Sequence, residues 1–283
     1  IEGHDLPLFA PILRAGQVDP ALRHAAILAL ANLESAESIA GASTHASPDV
    51  RVAATVALRR QQSWRVAEFL NDSEPRVVIE AARAIYDLPI EVAYPALANL
   101  IEREDLESTA LVRRVLNANF RLGGLPRATA LARFATRQDA DELHRSEALD
   151  LLSKWAQPPG RDGFTGEWWP LEPRAADFMP ALVFEMRDRG IETAPARVVV
   201  EWIELAQQVE AKPLAPDFVR WALDGKRDLG VRVAALRAAE TLAPDALEPA
   251  LGELVLDAQD KIRAAALSAI QALTPDNAYP LLE

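Results

Sequence analysis

Four histidines, His4, His24, His45 and His144, are the residues best suited to hold a transition metal or move a proton near neutral pH. A helical metal site needs two ligands three or four residues apart, so that both fall on one face. No two of the four have that spacing, and His24 and His144 lie inside helical patterns where a packed or surface histidine is the ordinary case. Carboxylates cluster at Glu102, Glu104, Asp105 and Glu107, and again at Asp139, Asp141 and Glu142. Paired carboxylates are what glycoside hydrolysis requires. Both clusters fall at predicted helix ends or turns, where acidic residues near a helix start are favoured by its dipole. There is no Gly-x-Ser-x-Gly elbow to present a serine nucleophile. With no cysteine, thiol nucleophiles, thiolate metal sites and disulfides are excluded within the chain. These patterns assign no catalytic residue, no cofactor site and no metal site.

One irregular stretch stands apart, Gln157 to Pro173, rich in Pro, Gly and Trp. Its prolines and glycines forbid a regular helix, and its Phe and Trp residues distinguish it from a floppy linker. The stretch therefore reads as an ordered loop packed on the rest of the protein. Gly160, Gly163 and Gly166 do not form a phosphate-binding loop: no Gly-Lys-Ser/Thr follows, and Glu167 would repel phosphate. Phe164, Trp168 and Trp169 either plug a mismatch between two stacks of helices, the commoner role for Trp, or contact a ligand. Together with Arg161 they form the candidate interaction loop.

The elements that must carry this loop are visible as an internal repeat. Leu22-Arg23-His24-Ala25-Ala26-Ile27-Leu28-Ala29-Leu30 matches residues 50–58, 231–239 and 262–270: an aliphatic anchor, Arg, two variable residues, Ala, two more, then Ala and an apolar residue. Weaker copies are anchored at Val77, Val112, His144 and Ala196. Arg follows seven of the eight anchors, and Ala stands four residues after six of them. Positions 0, 4, 7 and 8 share one face of a helix. The small Ala admits a close neighbour, and the aliphatics fill the groove, each contributing roughly 1.5–3 kcal/mol when fully buried. Turn residues precede most anchors: Asp19-Pro20, Ser47-Pro48-Asp49, Ser73-Glu74-Pro75, Asp228, and Asp257 with Asp260. Second helices are expected between them, at Trp64–Asn71, Ile90–Arg103 and Leu247–Leu256. Two helices per thirty-odd residues is the signature of a helical-repeat array. The spacing from the fifth anchor to the sixth, 52 residues, exceeds the others by about the length of the irregular loop.

The Asp…Val-Arg-x-x-Ala-Ala pattern resembles HEAT repeats, particularly the short kind found in phycobilisome-lyase-like proteins. The resemblance implies an all-α fold, a right-handed α-α superhelix of antiparallel helix pairs. The chain is then a single solenoid over 1–283, with 157–173 as a non-helical insert. It further implies a structural ladder of Asp and Arg between neighbouring repeats, carried here by Asp19, Arg23, Asp49, Arg51, Asp228, Arg232, Asp260 and Arg263. Two segments, Ala82-Arg83-Ala84-Ile85-Tyr86-Asp87-Leu88-Pro89-Ile90 and Pro158–Asp162 with Trp169-Pro170-Leu171, are similar to the HEAT region of large planctomycete-type haem-binding, membrane-bound-dehydrogenase-like proteins. In those a β-propeller precedes the repeats and a cytochrome c segment follows. That resemblance implies a secreted or periplasmic setting and a spacer or docking role. The chain departs from it in lacking Cys-x-x-Cys-His, so any haem chemistry would reside in flanking domains.

Composition agrees with a helical scaffold. Half of the 283 residues are apolar, which is ample for a core, and no apolar run is long enough to span a membrane. Lys and Arg number 30 against 42 Asp and Glu, a net charge of −12 that repels phosphate backbones and anionic lipid. The chain opens on Ile1, and Leu6–Phe9 and Tyr279–Leu282 leave both ends apolar, which reads as a piece of a larger protein. The expected function is a non-catalytic scaffold or protein-interaction module. Its partner is another protein or a flanking domain of the parent chain, and nucleic acid is not expected. A HEAT-like DNA glycosylase is the enzyme alternative, and the acidic charge opposes it. Duplex DNA should therefore not bind even in low-salt buffer; anisotropy that rises with protein and collapses with added salt would reinstate that enzyme class.

Overall fold

The computed structural model describes Pro7, residues 9–15 and residues 19–271. His4 and Tyr279–Leu282 lie outside them. Among the described residues the protein is all-helical, as the repeat predicts. The chain divides into two compact units. One comprises the described residues up to Gly123 together with Gly160–Trp169; the other comprises Gly124–Pro159 and the described residues from Pro170 on.

In the first unit the anchored helices are α2 (Pro20–Leu33), α4 (Pro48–Arg60), α5 (Pro75–Asp87) and α7 (Thr109–Leu122). Each packs on the next, α2 on α4, α4 on α5 and α5 on α7. The intervening elements are short: α1 (Phe9–Ala15), α3 (Ala36–Ala40), a 3-10 turn over Trp64–Phe69, and α6 (Tyr94–Asn99) flanked by 3-10 turns at Glu91–Ala93 and Leu100–Glu102. The expected helix at 64–71 is thus 3-10, and that at 90–103 is a short α-helix between two 3-10 turns. Pro95 stands in the first turn of α6, so a regular helix can begin only there.

In the second unit the anchored helices are α9 (Glu142–Ser153), α11 (Ala196–Gln208), α13 (Leu229–Leu242) and α15 (Asp260–Gln271), again packed in that order. α8 (Leu125–Thr136) precedes them, and α10 (Met179–Asp188), α12 (Ala215–Leu223) and α14 (Pro244–Leu254) stand between them. Trp202, Phe218 and Trp221 fill the centre with ring centroids 5.7–5.9 Å apart, and the Trp202 indole donates to the Val183 carbonyl at 3.2 Å.

The helical period shows directly in the burial. Positions 0, 4, 7 and 8 are all buried in the copies anchored at Val50, Val77, Val112, His144, Val231 and Ile262. In α2 the face is incomplete, with Leu22 39% exposed. In α11 the buried set is Val198, Trp202, Leu205 and Ala206, so the anchor is Val198 and not Ala196. Ala196-Arg197 imitates the motif two residues too early. Arg197 consequently faces solvent and pairs with Glu201 on its own helix at 3.0 Å.

The arginines after the anchors tie successive helices together. Arg51 forms a two-pronged pair with Asp72 at 2.6 and 2.9 Å, in the turn before α5, and donates backwards to the His45 carbonyl at 2.8 Å. Arg232 likewise pairs with Asp257, in the turn before α15, and donates to the Ala222 carbonyl at 2.9 Å. Arg145 reaches back to the Ala135 carbonyl at 2.8 Å, and Arg263 to the Asp257 carbonyl at 2.7 Å. Opposite Arg51 and Arg232, then, the carboxylate belongs to the following turn and not the preceding one. Asp19 and Asp228 cap their own helices, accepting from Leu22 N–H at 2.8 Å and from Gly230 N–H at 2.7 Å. Asp49 lies 3.6 Å from Arg76 at the start of the next anchored helix, and Asp260 pairs with Arg263 one turn on. Arg23 is half-buried on α2.

Arg51→Ala and Arg232→Ala should each lower stability by roughly 1–3 kcal/mol, because Asp72 or Asp257 and a turn carbonyl lose their donor. Arg197→Ala, at the imitated motif, should stay within about 0.5 kcal/mol of the parent. Urea unfolding of the three variants with unchanged m distinguishes these sites.

Candidate functional site

Several of the carboxylates and histidines that could do chemistry are engaged locally. Asp105 pairs with Arg103, and Asp139 with Arg137, each through two hydrogen bonds. Asp141 caps α9 by accepting from Leu143 N–H at 2.8 Å. His144 is buried at its anchor position, and His45 accepts the Ser47 N–H through Nδ1 at 3.0 Å. Among the described residues no three His, Asp or Glu side chains gather as metal ligands would.

The irregular stretch is more organised. It runs without helix from Lys154 to Phe178, longer than the 157–173 read from sequence, because Trp155 and Arg174 continue its packing. In the second unit the Arg174 guanidinium lies over the Trp155 ring at 3.8 Å and donates to the Trp155 carbonyl at 3.0 Å. Gly160–Trp169, which belongs to the first unit, forms a tight hairpin. Trp169 N–H donates to the Gly160 carbonyl and Asp162 N–H to the Glu167 carbonyl, both at 2.9 Å, with Arg161 opposite Trp168. The turn closes at Gly166, whose φ of +74° favours glycine. Gly160 serves differently: the Trp168 ring lies on it, and a β-carbon there would collide with the indole.

Asp162 is the hub. Its Oδ1 accepts from Phe164 N–H at 3.0 Å, Thr165 N–H at 2.8 Å and the Thr165 hydroxyl at 3.1 Å, which shapes the turn. Its Oδ2 accepts from the Tyr86 hydroxyl on α5 at 2.6 Å and from Arg121 on α7 at 3.2 Å, which fixes the turn to the helices. Arg121 donates also to the Trp169 carbonyl at 3.2 Å and lies over the Trp169 ring at 3.3 Å. Phe164 is sandwiched by charge and ring: Arg113 and Arg114 stand 5.0 and 4.4 Å from its centroid, and Tyr86 meets it edge-on at 5.8 Å. Trp169 meets Tyr86 at 6.3 Å and Tyr94 at 6.1 Å.

Asp162 is only 6% exposed, and burial alone would raise its pKa. The hydrogen bonds from Thr165, Tyr86 and Phe164 outweigh that and hold it below the usual carboxylate range. Burial, and then the Asp162 charge, push the Tyr86 hydroxyl up, so it stays a donor.

Of the four candidate loop residues, Phe164 and Trp169 are thus half-buried against the first unit. Trp168 stands 71% exposed, and Arg161 is exposed, its guanidinium donating to the Gly166 carbonyl at 3.0 Å. The adjacent tryptophans part because neighbouring residues of an extended strand face opposite ways. Tyr86, Arg121 and Asp162 were not singled out by residue type. The signal available was Tyr86 at position 9 of its repeat, where no other copy carries an aromatic residue.

Asp162→Ala should destabilise the first unit by about 3–5 kcal/mol, since it leaves the Arg121 charge buried and unmatched. Tyr86→Phe should cost only about 1 kcal/mol, because Asp162 keeps its other donors. A carboxyl with a depressed folded pKa contributes fully above its unfolded value and loses that contribution as pH falls through the folded one. Parent stability should therefore decline below about pH 4, and the Asp162→Ala variant should lose less there; thermal melts followed by tryptophan emission test both.

No protein-family model matches the chain, and no curated protein matches it. Among solved structures the chain is similar to a designed armadillo repeat protein, at 15% identity and a TM-score of 0.25, over 85% of this chain and 100% of that one.

Proposed function

We propose that the chain is a non-catalytic scaffold that binds other proteins, with the Gly160–Trp169 hairpin as a contact point. The observation that carries this reading is Trp168. A large aromatic side chain is left in solvent on a hairpin whose other rings are clamped by Asp162, Arg113, Arg114 and Arg121. Rigidly presented tryptophan loses little side-chain entropy on binding and is enriched among residues that dominate interface energy. The scaffold behind it is built for shape: its arginines and aspartates spend their hydrogen bonds on turns and neighbouring helices.

A second reading is favoured by a separate observation. The two segments similar to the planctomycete-type haem-binding proteins, 82–90 and 158–171, meet in space through Tyr86 and Asp162, though 76 residues apart in sequence. On this reading the chain is the spacer or docking domain of a secreted or periplasmic redox protein. A parent gene encoding neither a β-propeller nor a Cys-x-x-Cys-His segment removes it.

Among the described residues no helix is long and apolar enough to cross a membrane. A photo-crosslinking residue at position 168, expressed in the source organism, should give discrete adducts with a protein partner. The same residue at Val92, equally exposed but remote from the hairpin in sequence, should not. Equal labelling at both positions, or substrate turnover by the isolated chain, would count against the scaffold reading.

A further inference from the structure

The surface beneath the hairpin differs in composition from the repeat face of the same unit. At positions 0, 4, 7 and 8 of the repeat, α4 and α5 bury only Ala, Val, Leu and Ile. Under the hairpin α5, α6 and α7 offer Tyr86, Tyr94, Arg113, Arg114 and Arg121. Tyr and Arg are the residues that concentrate binding energy at interfaces, not the usual filling of a helical core. The Tyr86 hydroxyl and Arg121 meet one carboxylate of the hairpin, Asp162, and Arg113 and Arg121 donate to its backbone carbonyls at Gly163 and Trp169. The apolar part is two ring faces, Phe164 and Trp169. A carboxylate, two carbonyls and two aromatic rings within ten residues are features that many peptide segments can supply. The fit is also incomplete: the Tyr94 hydroxyl is buried beside Trp169 and has no hydrogen-bond partner among the described residues. A ligand with one further acceptor would satisfy it.

We propose that the face of α5, α6 and α7 formed by Tyr86, Tyr94, Arg113, Arg114 and Arg121 is a peptide-recognition site that the chain's own hairpin occupies in cis, and that it accepts an acidic-aromatic segment of another protein in trans. This deepens the scaffold reading but does not depend on Trp168, which points away from the face. An intramolecular ligand competes at an effective concentration in the mM range for a short tether. A free peptide should therefore bind the intact chain poorly, and removal of the hairpin should expose its full affinity.

The test uses the full chain with Gly160–Trp169 replaced by a ten-residue Gly/Ser linker, and a labelled synthetic peptide of the Gly160–Trp169 sequence as probe. Anisotropy should report binding at least about tenfold tighter than to the intact chain. The peptide with Asp162→Asn, or the chain with Arg121→Gln, should lose most of it. If the replaced chain keeps its helical circular dichroism and does not bind, the proposal is overturned. Binding indifferent to Asp162→Asn overturns it as well, since a merely sticky apolar face would behave so. Should the replaced chain fail to fold, the intact chain with Asp162→Ala serves instead: its hairpin is unlatched, and peptide that still fails to bind overturns the site. Self-association of the parent chain that the peptide dissolves would name a second copy as the occupant and overturn the assignment to a foreign segment.

Discussion

One small device recurs at three turns of this protein: an aspartate whose first oxygen accepts the backbone N–H two residues on, while the second faces an arginine from another element. Asp72 does this for Glu74 N–H and Arg51, and Asp257 for Gln259 N–H and Arg232. Asp162 does it for Phe164 N–H and Arg121. The chemistry suits the task. A turn leaves backbone donors and acceptors without helical partners. The carboxylate takes the donors, and the planar guanidinium, with five N–H groups, takes both the carboxylate and a leftover carbonyl. Arg51 and Arg232 each close such a set with a backward bond, to His45 and to Ala222. One side chain thereby sets the distance from the turn behind a helix to the turn ahead of it.

The device explains why an array held mainly by Ala and Leu keeps its spacing. Apolar faces attract without direction, and small residues permit sliding. A helix that slid along its neighbour would break a half-buried ion pair and strand its partner, at a cost well above that of losing one methyl contact. Asp72 and Asp257 are held below the ordinary carboxylate range: burial opposes this for Asp72, and the Arg51 hydrogen bond overcomes it; for Asp257 the Arg232 hydrogen bond is the leading cause. The pairs thus keep their charge to lower pH than free aspartates would.

What could be read in advance followed the range of the interaction. The burial period is local, and the pattern at Val50, Val231 and Ile262 located the buried face without reference to anything distant. At α11 the same reading slipped by two residues, since Ala196-Arg197 matches the motif in type while Val198 and Trp202 carry the packing. The arginines were legible, but their carboxylates were not. Asp72 lies 21 residues from Arg51 and Asp257 25 from Arg232, and the sequence places acidic residues in nearly every turn. The hairpin was legible as ordered by its composition. Which of its tryptophans faces inward depends on the pairing of Arg161 with Trp168, and that pairing depends on Asp162 finding Tyr86 across 76 residues.

The hairpin is also where the device changes its role. Asp72 and Asp257 belong to turns that the chain must make in any case, between consecutive helices. Asp162 belongs to an excursion whose flanks, Pro158-Pro159 and Pro170, lack backbone donors and favour extended chain. Hydrophobic contact by Phe164 and Trp169 would draw such a loop to the helices but would neither latch it nor choose its register. A buried carboxylate that must meet Tyr86 and Arg121 together does choose, because any other seating leaves a charge without a partner in a dry site. The same constraint that fixes the hairpin on its own chain is what would allow the face beneath it to tell one segment from another.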